Sequence, residues 1–210
     1  SVPASLRLSG THNDKGVFPM ISRIDHVSLA VRDFDAAFRF FAGILGAVPG
    51  ASGEDPGMKY SWKIMSLGDL SRIELITPTG QGSFLDGFLK DRHGGVHHIT
   101  LQVPDIRKAR EAIERHGIPT FGFHEYGPVW KEFFIHPKHA FGVLVQIAEF
   151  TSDDWLSPSV RMPPNTRLLV DRSQDGLTLK FAHPGGGTVA VGMSRDEALR
   201  LMDDLKDALA

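Results

Sequence analysis

The stretch DHVSLAVRDFDAA (residues 25–37) is the strongest indication of the fold, because HHITLQVPDIRKA (residues 97–109) repeats it 72 positions later. Five of the 13 aligned positions are identical, and His26/His98 and Asp33/Asp105 are among them. In each copy an alternation of apolar residues predicts a strand, and the Asp that follows is a typical helix N-cap. Self-similarity at a fixed offset indicates two copies of one structural unit.

The same offset also aligns the ends of the two units. RIELIT (72–77) lies over LVQIAE (144–149), and both segments are strand-like. Glu74 is thereby matched with Gln146, and in both units 48 residues separate this side chain from the His of the first strand. Each unit is therefore predicted to begin with a His on a strand and to end with a Glu or Gln on a strand.

Each unit has the pattern of a strand, a helix and three further strands. We therefore predict an α+β fold of two βαβββ modules, at about residues 20–80 and 95–150. The apolar pattern locates only three of the four strands in each module. The predicted strands are 24–31, 59–67, 71–77, 96–103, 129–135 and 142–148, and the predicted helices are 34–45 and 106–116.

The two ends of the chain differ in character from this domain of residues 20–150. Residues 1–19 are polar and lack a period, so we expect a poorly ordered extension or a remnant of cloning. Residues 151–166 contain three prolines and are predicted to be a linker. Residues 167–210 are predicted to form a βββα appendage that supports oligomerisation, or alternatively a lid over the substrate pocket. Its strands are predicted at 167–171, 176–182 and 188–193, and a capping box of Ser194 and Glu197 starts its helix.

Composition excludes several kinds of protein. The 210 residues include 23 Lys and Arg, 25 Asp and Glu, ten His and no Cys. Without Cys, a metal ion would have to be bound by His, carboxylate or amide groups. The chain has no long basic run and no apolar stretch of about 18 residues, which argues against nucleic-acid binding and a membrane span. We expect a cytoplasmic homodimer that binds a small molecule.

The paired units predict a metal site. Two modules related by a pseudo-twofold axis would bring together His26, Glu74, His98 and Gln146. This set of two nitrogen and two oxygen ligands leaves one or two positions open on a divalent ion, which could be Co, Mn, Ni, Zn or Fe. Gln146 either ligates the ion or hydrogen-bonds a metal-bound water, because neutral amides are weak ligands. His97 precedes His98 on the strand, so we predict that it faces the opposite side as a packing or dimer residue.

With these residues in place, the chain resembles the vicinal oxygen chelate superfamily, whose members include glyoxalase I, methylmalonyl-CoA epimerase, extradiol dioxygenases and fosfomycin-resistance proteins. The resemblance covers about residues 21–150 and is closest to the methylmalonyl-CoA epimerases. It is carried by RIDHVSLAVRDFDAA (23–37), IELITPTGQGSFLDGFLKDRHGGVHHI (73–99) and HPKHAFGVLVQ (136–146). It implies the same four metal ligands and a divalent ion such as cobalt that binds a thioester carbonyl and stabilises an enolate.

Two departures from the epimerase pattern concern proton transfer. The family has an amide where this chain has Glu74, and a carboxylate where it has Gln146. The family's other base is a Glu, and Tyr60 occupies that place, although a tyrosine with a pKa near 10 is a poor base at about pH 7. Glu74 and Tyr60 are the predicted catalytic residues. Further candidates, whose positions the sequence does not fix, are Glu54, Glu125, Lys131 and Glu132.

Three functions stay open at this point. The leading one is a metal-dependent enzyme that stabilises an enolate, resembles methylmalonyl-CoA epimerase and acts on a small molecule such as a CoA thioester. A second enzyme class is a glyoxalase-type lyase or an Fe(II) dioxygenase in which His26, His98 and Glu74 form a two-His, one-carboxylate triad. The third is a non-enzymatic protein that sequesters a drug-like ligand on the same scaffold.

Overall fold

The computed structural model describes residues 20–68, 70–183 and 185–210, so the prediction for residues 1–19 lies outside the described residues. The first module comprises β1 (Arg23–Val31), α1 (Phe34–Phe38), β2 (Val48–Asp55), β3 (Tyr60–Ser66) and β4 (Arg72–Pro78). A short helix, α2 (Leu85–Leu89), connects the modules. The second module comprises β5 (Gly94–Gln102), α3 (Ile106–Arg115), β6 (Thr120–Tyr126), β7 (Trp130–Ile135) and β8 (Val145–Glu149).

The eight strands of the two modules form one sheet. Its strand order is β2-β3-β4-β1-β5-β8-β7-β6. The two first strands, β1 and β5, pair antiparallel at the centre, and each has the last strand of its own module as a parallel neighbour. This symmetric order confirms the predicted α+β fold of two βαβββ modules.

The helices of the two modules are capped as the sequence predicts. The Asp33 side chain accepts a hydrogen bond from a backbone N–H in the first turn of α1, and Asp105 does the same for α3. The predicted helix 34–45 is confirmed as far as Ile44, but it is α-helical only to Phe38, and Arg39–Ile44 is π-helical. The wider turn carries the backbone hydrogen bond from Leu45 to the carbonyl of Phe40, five residues back.

The strands that the sequence pattern leaves unplaced are the two edge strands, β2 and β6. In β2 the sequence VPGASGED contains two glycines that are needed for close packing. A Cβ at Gly50 would lie within 3.0 Å of the carbonyl oxygen of Trp155, and one at Gly53 would lie 2.8 Å from the ring of Trp62. Glycine therefore replaces the apolar alternation that normally signals a strand.

The C-terminal part adds β9 (Leu168–Ser173), β10 (Gly176–Ala182), β11 (Thr188–Ser194) and α4 (Arg195–Leu209). The strands form a separate sheet in the order β11-β10-β9, and the predicted capping box of Ser194 and Glu197 is present at the start of α4. Between the two sheets, residues 151–166 contain two short 3-10 turns and bury Ser152, Leu156 and Met162. The division into domain, linker and appendage stays a prediction. No helix in the described ranges combines the length and apolar character that crossing a bilayer requires.

Candidate metal centre

Three of the four predicted ligands meet at the centre of the large sheet. The potential ligand atoms of His26 on β1, Glu74 on β4 and His98 on β5 all lie within 4.8 Å of one another. Glu74 Oε2 lies 3.6 Å from the Nε2 atoms of both His26 and His98. Two ligand atoms at this separation fit an ion that is about 2.0–2.2 Å from each. Among the described residues, no other group of three His or acidic side chains is arranged so closely.

The register of the central strands explains this meeting. β1 and β5 pair antiparallel with Ser28 opposite His98, and β4 runs parallel to β1 with Glu74 beside Ser28. Because side chains alternate along a strand, His26 and Ser28 lie on the same face of β1. The three candidate ligands therefore face one side of the sheet.

Burial and hydrogen bonding at His98 fit a metal ion. The residue is buried, and its Nε2 atom has no hydrogen-bond partner among the residues that the structure describes. Burial lowers the pKa of His98 to about 3, against the opposing charge of Glu74, so the ring is neutral near pH 7. A neutral imidazole nitrogen that faces a carboxylate without a hydrogen bond is a donor that a divalent ion can use.

His26 is held from behind by a carboxylate. Its Nδ1 atom lies 2.8 Å from Asp25 Oδ2, and the Asp25 carboxylate also contacts the guanidinium groups of Arg72 and Arg23. Burial opposes protonation, but hydrogen bonds to Asp25 and Glu74 raise the pKa of His26 to about 9. A carboxylate on the second nitrogen fixes the ring orientation and is common behind metal-binding histidines.

Gln146 lies beside these three side chains and is already hydrogen-bonded. The Thr100 hydroxyl lies 2.8 Å from His26 Nε2 and donates to the amide oxygen of Gln146. The amide nitrogen of Gln146 donates to Glu132 Oε2 at 2.6 Å. The amide oxygen has a second lone pair beside the one that accepts from Thr100, and its role as a metal ligand stays a prediction.

The prediction that His97 faces away from His98 is wrong. β5 has a bulge at this point, since Ser28 pairs with His98 while the next residue of β1 pairs with Val96. The Nδ1 atoms of His97 and His98 consequently lie 2.9 Å apart. The ring of His97 packs edge-on against Phe84 and Phe88, so the predicted packing role is confirmed.

A match to a protein-family model identifies the superfamily of the chain. Residues 25–131, which include His26, Glu74 and His98, match the Glyoxalase/Bleomycin resistance protein/Dioxygenase superfamily. The chain belongs to this superfamily. The resemblance predicted from the repeated stretches is thus confirmed.

Members of the superfamily that are similar to the chain include several epimerases. The ethylmalonyl-CoA/methylmalonyl-CoA epimerase of Cereibacter sphaeroides is 37% identical over 134 residues, which cover 62% of this chain and 99% of that protein. The mitochondrial methylmalonyl-CoA epimerase of Homo sapiens is 33% identical over 132 residues, with 61% and 74% covered. These relatives are isomerases, which confirms the prediction of an enzyme of this superfamily.

A solved structure shows the same fold. The crystal structure of methylmalonyl-CoA epimerase from Mycobacterium tuberculosis aligns with a TM-score of 0.58 and 24% identity. The alignment covers 63% of this chain and 90% of that chain. The vicinal oxygen chelate fold is therefore the scaffold of this superfamily member.

A cavity of about 260 Å³ opens beside the candidate metal centre of the superfamily domain. Glu74 and Gln146 form part of its wall, and Tyr60 lines it at the start of β3. Burial and the charge of Glu74 raise the pKa of Tyr60 above its ordinary value. The Tyr60 hydroxyl therefore stays protonated at neutral pH, which suits a hydrogen-bond donor and not a base.

Glu132 on β7 also lines the cavity, and the sequence had left its position open. Its Oε2 atom accepts hydrogen bonds from Trp130 Nε1 at 2.7 Å and from Gln146. Burial raises the pKa of this carboxyl group. The other candidates lie elsewhere: Glu54 is exposed, Glu125 pairs with Arg107, and Lys131 pairs with Glu149.

Proposed function

We propose that the protein is a metal-dependent epimerase that inverts the carbon next to the carbonyl of an acyl-CoA thioester. The observation that carries this proposal is the convergence of His26, Glu74 and His98 at the edge of a cavity that Glu132 also lines. The epimerase names of the relatives support the reaction class and the thioester substrate.

His26, Glu74 and His98 would hold the divalent ion, with Gln146 as the fourth protein ligand or as a hydrogen-bond partner of the bound species. When bound, such an ion supplies Lewis acidity that polarises the thioester carbonyl and favours loss of the neighbouring proton. Asp25 keeps the Nε2 atom of His26 directed at Glu74 through its own bond to Nδ1. The protein thereby fixes the ligand geometry before substrate arrives.

Inversion requires proton-transfer groups on both faces of the reacting carbon. One group removes the proton as the C–H bond breaks and its electron pair enters the carbonyl system, and the second group returns a proton to the other face. Glu74 and Glu132 are the carboxyl side chains in the cavity wall, and we assign them to these two roles. Tyr60 lines the same cavity with its hydroxyl protonated, so it would serve there as a hydrogen-bond donor to substrate.

Solvent deuterium exchange tests this assignment. Metal-loaded protein is incubated in D2O with methylmalonyl-CoA or ethylmalonyl-CoA, and deuterium at C2 is measured by mass spectrometry. We expect exchange by the wild type and a loss of about 100-fold or more in Glu132→Gln, because acid-base groups contribute roughly that much. The matched control is Glu125→Gln, which alters a carboxylate that pairs with Arg107 at the surface and should leave exchange unchanged.

Two results would contradict the epimerase proposal. The first is no exchange by a metal-loaded wild type with either thioester, and the second is equal exchange by the wild type and Glu132→Gln. The metal content of each variant is measured in parallel, so that loss of the ion is not mistaken for loss of a proton-transfer group.

The second candidate function is an Fe(II) dioxygenase, since His26, His98 and Glu74 have the composition of the two-His, one-carboxylate triad. Anaerobic loading with Fe(II), followed by measurement of oxygen uptake with catechols or 2-oxo acids, separates it from the epimerase. A drug-sequestering protein would instead keep its ligand affinity when both histidines are replaced. For all three functions we expect a cytoplasmic homodimer.

A further inference from the structure

All three tryptophans of the chain line the cavity beside the candidate metal centre. Trp62 comes from β3 and Trp130 from β7, whereas Trp155 comes from the 3-10 turn Ser152–Trp155 that follows the second module. The Trp155 ring centroid lies 5.0 Å from that of Trp130 and 5.5 Å from that of Trp62. Trp155 thus joins the two modules into one aromatic wall.

The backbone that carries Trp155 is fixed to the large sheet. Its carbonyl oxygen lies against Gly50 of β2, where a Cβ would not fit. Gln102 Nε2 at the end of β5 donates to the carbonyl oxygen of Phe150 and to Ser152 Oγ, both at 3.1 Å. Contacts on both sides of the turn hold the indole in place, so the wall is a built part of the cavity.

The chemistry of the cavity wall is aromatic and acidic. Beyond Glu74, Glu132 and Gln146, the described lining residues are aromatic or aliphatic, and none is Lys or Arg. A negatively charged substituent that lay against the tryptophans would meet Glu132 without a cationic side chain to balance it. An uncharged flat group would instead gain ring contacts with the indoles.

The size of the cavity limits which part of a substrate it encloses. Its volume of about 260 Å³ is slightly below the roughly 300–1,000 Å³ of pockets that enclose drug-sized ligands. It can therefore take an acyl unit, while the nucleotide part of a CoA thioester lies outside.

We infer that the cavity selects thioesters whose reacting carbon carries an aromatic or similarly bulky apolar group, and that Trp155 is the specificity-determining residue. This inference rests on the proposed thioester epimerase function. It goes beyond that function by naming the substituent on the reacting carbon.

The test compares 2-phenylpropionyl-CoA with ethylmalonyl-CoA. Affinity is measured by quenching of the intrinsic tryptophan fluorescence, and kcat/KM is measured by deuterium exchange in metal-loaded protein. We expect the wild type to favour the phenyl thioester by about tenfold in affinity, since ring contacts of this kind contribute a factor of that order. Trp155→Ala should abolish the preference, and the matched variant Trp155→Phe should keep most of it.

Measuring binding and exchange separately distinguishes the epimerase function from the substrate selectivity of the cavity. Preferential binding of the phenyl thioester without exchange of either substrate would contradict the epimerase function and support the aromatic cavity. Exchange of both thioesters with equal affinity in the wild type would overturn the inference and leave the epimerase intact. An unchanged preference in Trp155→Ala, with a native circular dichroism spectrum, would remove Trp155 from its role.

Discussion

Replacement of Gly50 by Ala tests whether the Trp155 turn is docked on β2. The new Cβ would lie within 3.0 Å of the Trp155 carbonyl oxygen and 3.4 Å from that of Ile64. Both neighbours are backbone atoms, so relief requires the turn or the edge strand to move. Overpacking of this kind costs about 1–3 kcal/mol, which for a chain of this size lowers Tm by about 2–12 °C.

Thermal unfolding followed by circular dichroism measures this change, and tryptophan fluorescence reports the displacement of Trp155. Gly43→Ala is the matched control, because a Cβ at Gly43 meets no atom within 4 Å and the residue lies in the π-helical segment. We expect this variant to be unchanged or slightly stabilised, by up to about 1 kcal/mol. A Gly50→Ala protein with the wild-type Tm and fluorescence spectrum would refute the docking of the turn.

The remaining predictions concern the support of the metal centre and of the last helix. Asp25→Asn removes the anion behind His26, so affinity for Co²⁺ measured by equilibrium dialysis should fall about 10- to 100-fold; an unchanged affinity would show that Asp25 does not orient the ligand. Ser194→Ala removes the capping box of α4 and should cost about 1 kcal/mol, seen as a small decrease in Tm, whereas Ser157→Ala at a three-residue turn should have a smaller effect. If Ser194→Ala and Ser157→Ala both had the Tm of the wild type, the capping box would not contribute to stability.

The candidate metal ligands could be predicted because the repeat preserves the register of the central strands. Glu74 lies beside Ser28 in one module, and Gln146 lies beside Thr100 in the other, 72 positions later in both strands. A constant offset in sequence therefore corresponds to a constant position in space. The convergence of the three candidate ligands His26, Glu74 and His98 follows from it without knowledge of the loops.

The position of Glu132 could not be predicted because the offset changes in the next pair of strands. Ile64 pairs with Glu74, ten residues later, whereas Phe134 pairs with Gln146, twelve residues later. At the constant offset of 72, Glu132 would match Tyr60. Because the connection between β7 and β8 is two residues longer than that between β3 and β4, Glu132 instead occupies the position that Trp62 has in the first module. Alternation along β7 puts Glu132 on the face of Phe134, but only the register of the hairpin shows that this face borders the cavity.

Two other differences have local causes. A bulge at His97 turns both neighbouring imidazoles to one side, and periodicity alone gives no sign of an extra residue. In β2, Gly50 and Gly53 make room for the backbone of Trp155 and for the ring of Trp62. Trp155 is more than 100 residues from Gly50, and Trp62 meets Gly53 only through the β2–β3 register, so the edge strand and the aromatic wall become visible only in the folded chain.

Binding of Co²⁺ is the most direct test of a metal centre at His26, Glu74 and His98. Equilibrium dialysis followed by elemental analysis is applied to the wild type, to His98→Ala and to the control His116→Ala, which alters an exposed histidine after α3. We expect about one ion per chain for the wild type and the control, and at least a tenfold weaker affinity for His98→Ala, because this change removes the Nε2 atom that we propose as a ligand. A wild type that binds no ion, or a His98→Ala variant that binds it as tightly as the wild type, would contradict the metal centre.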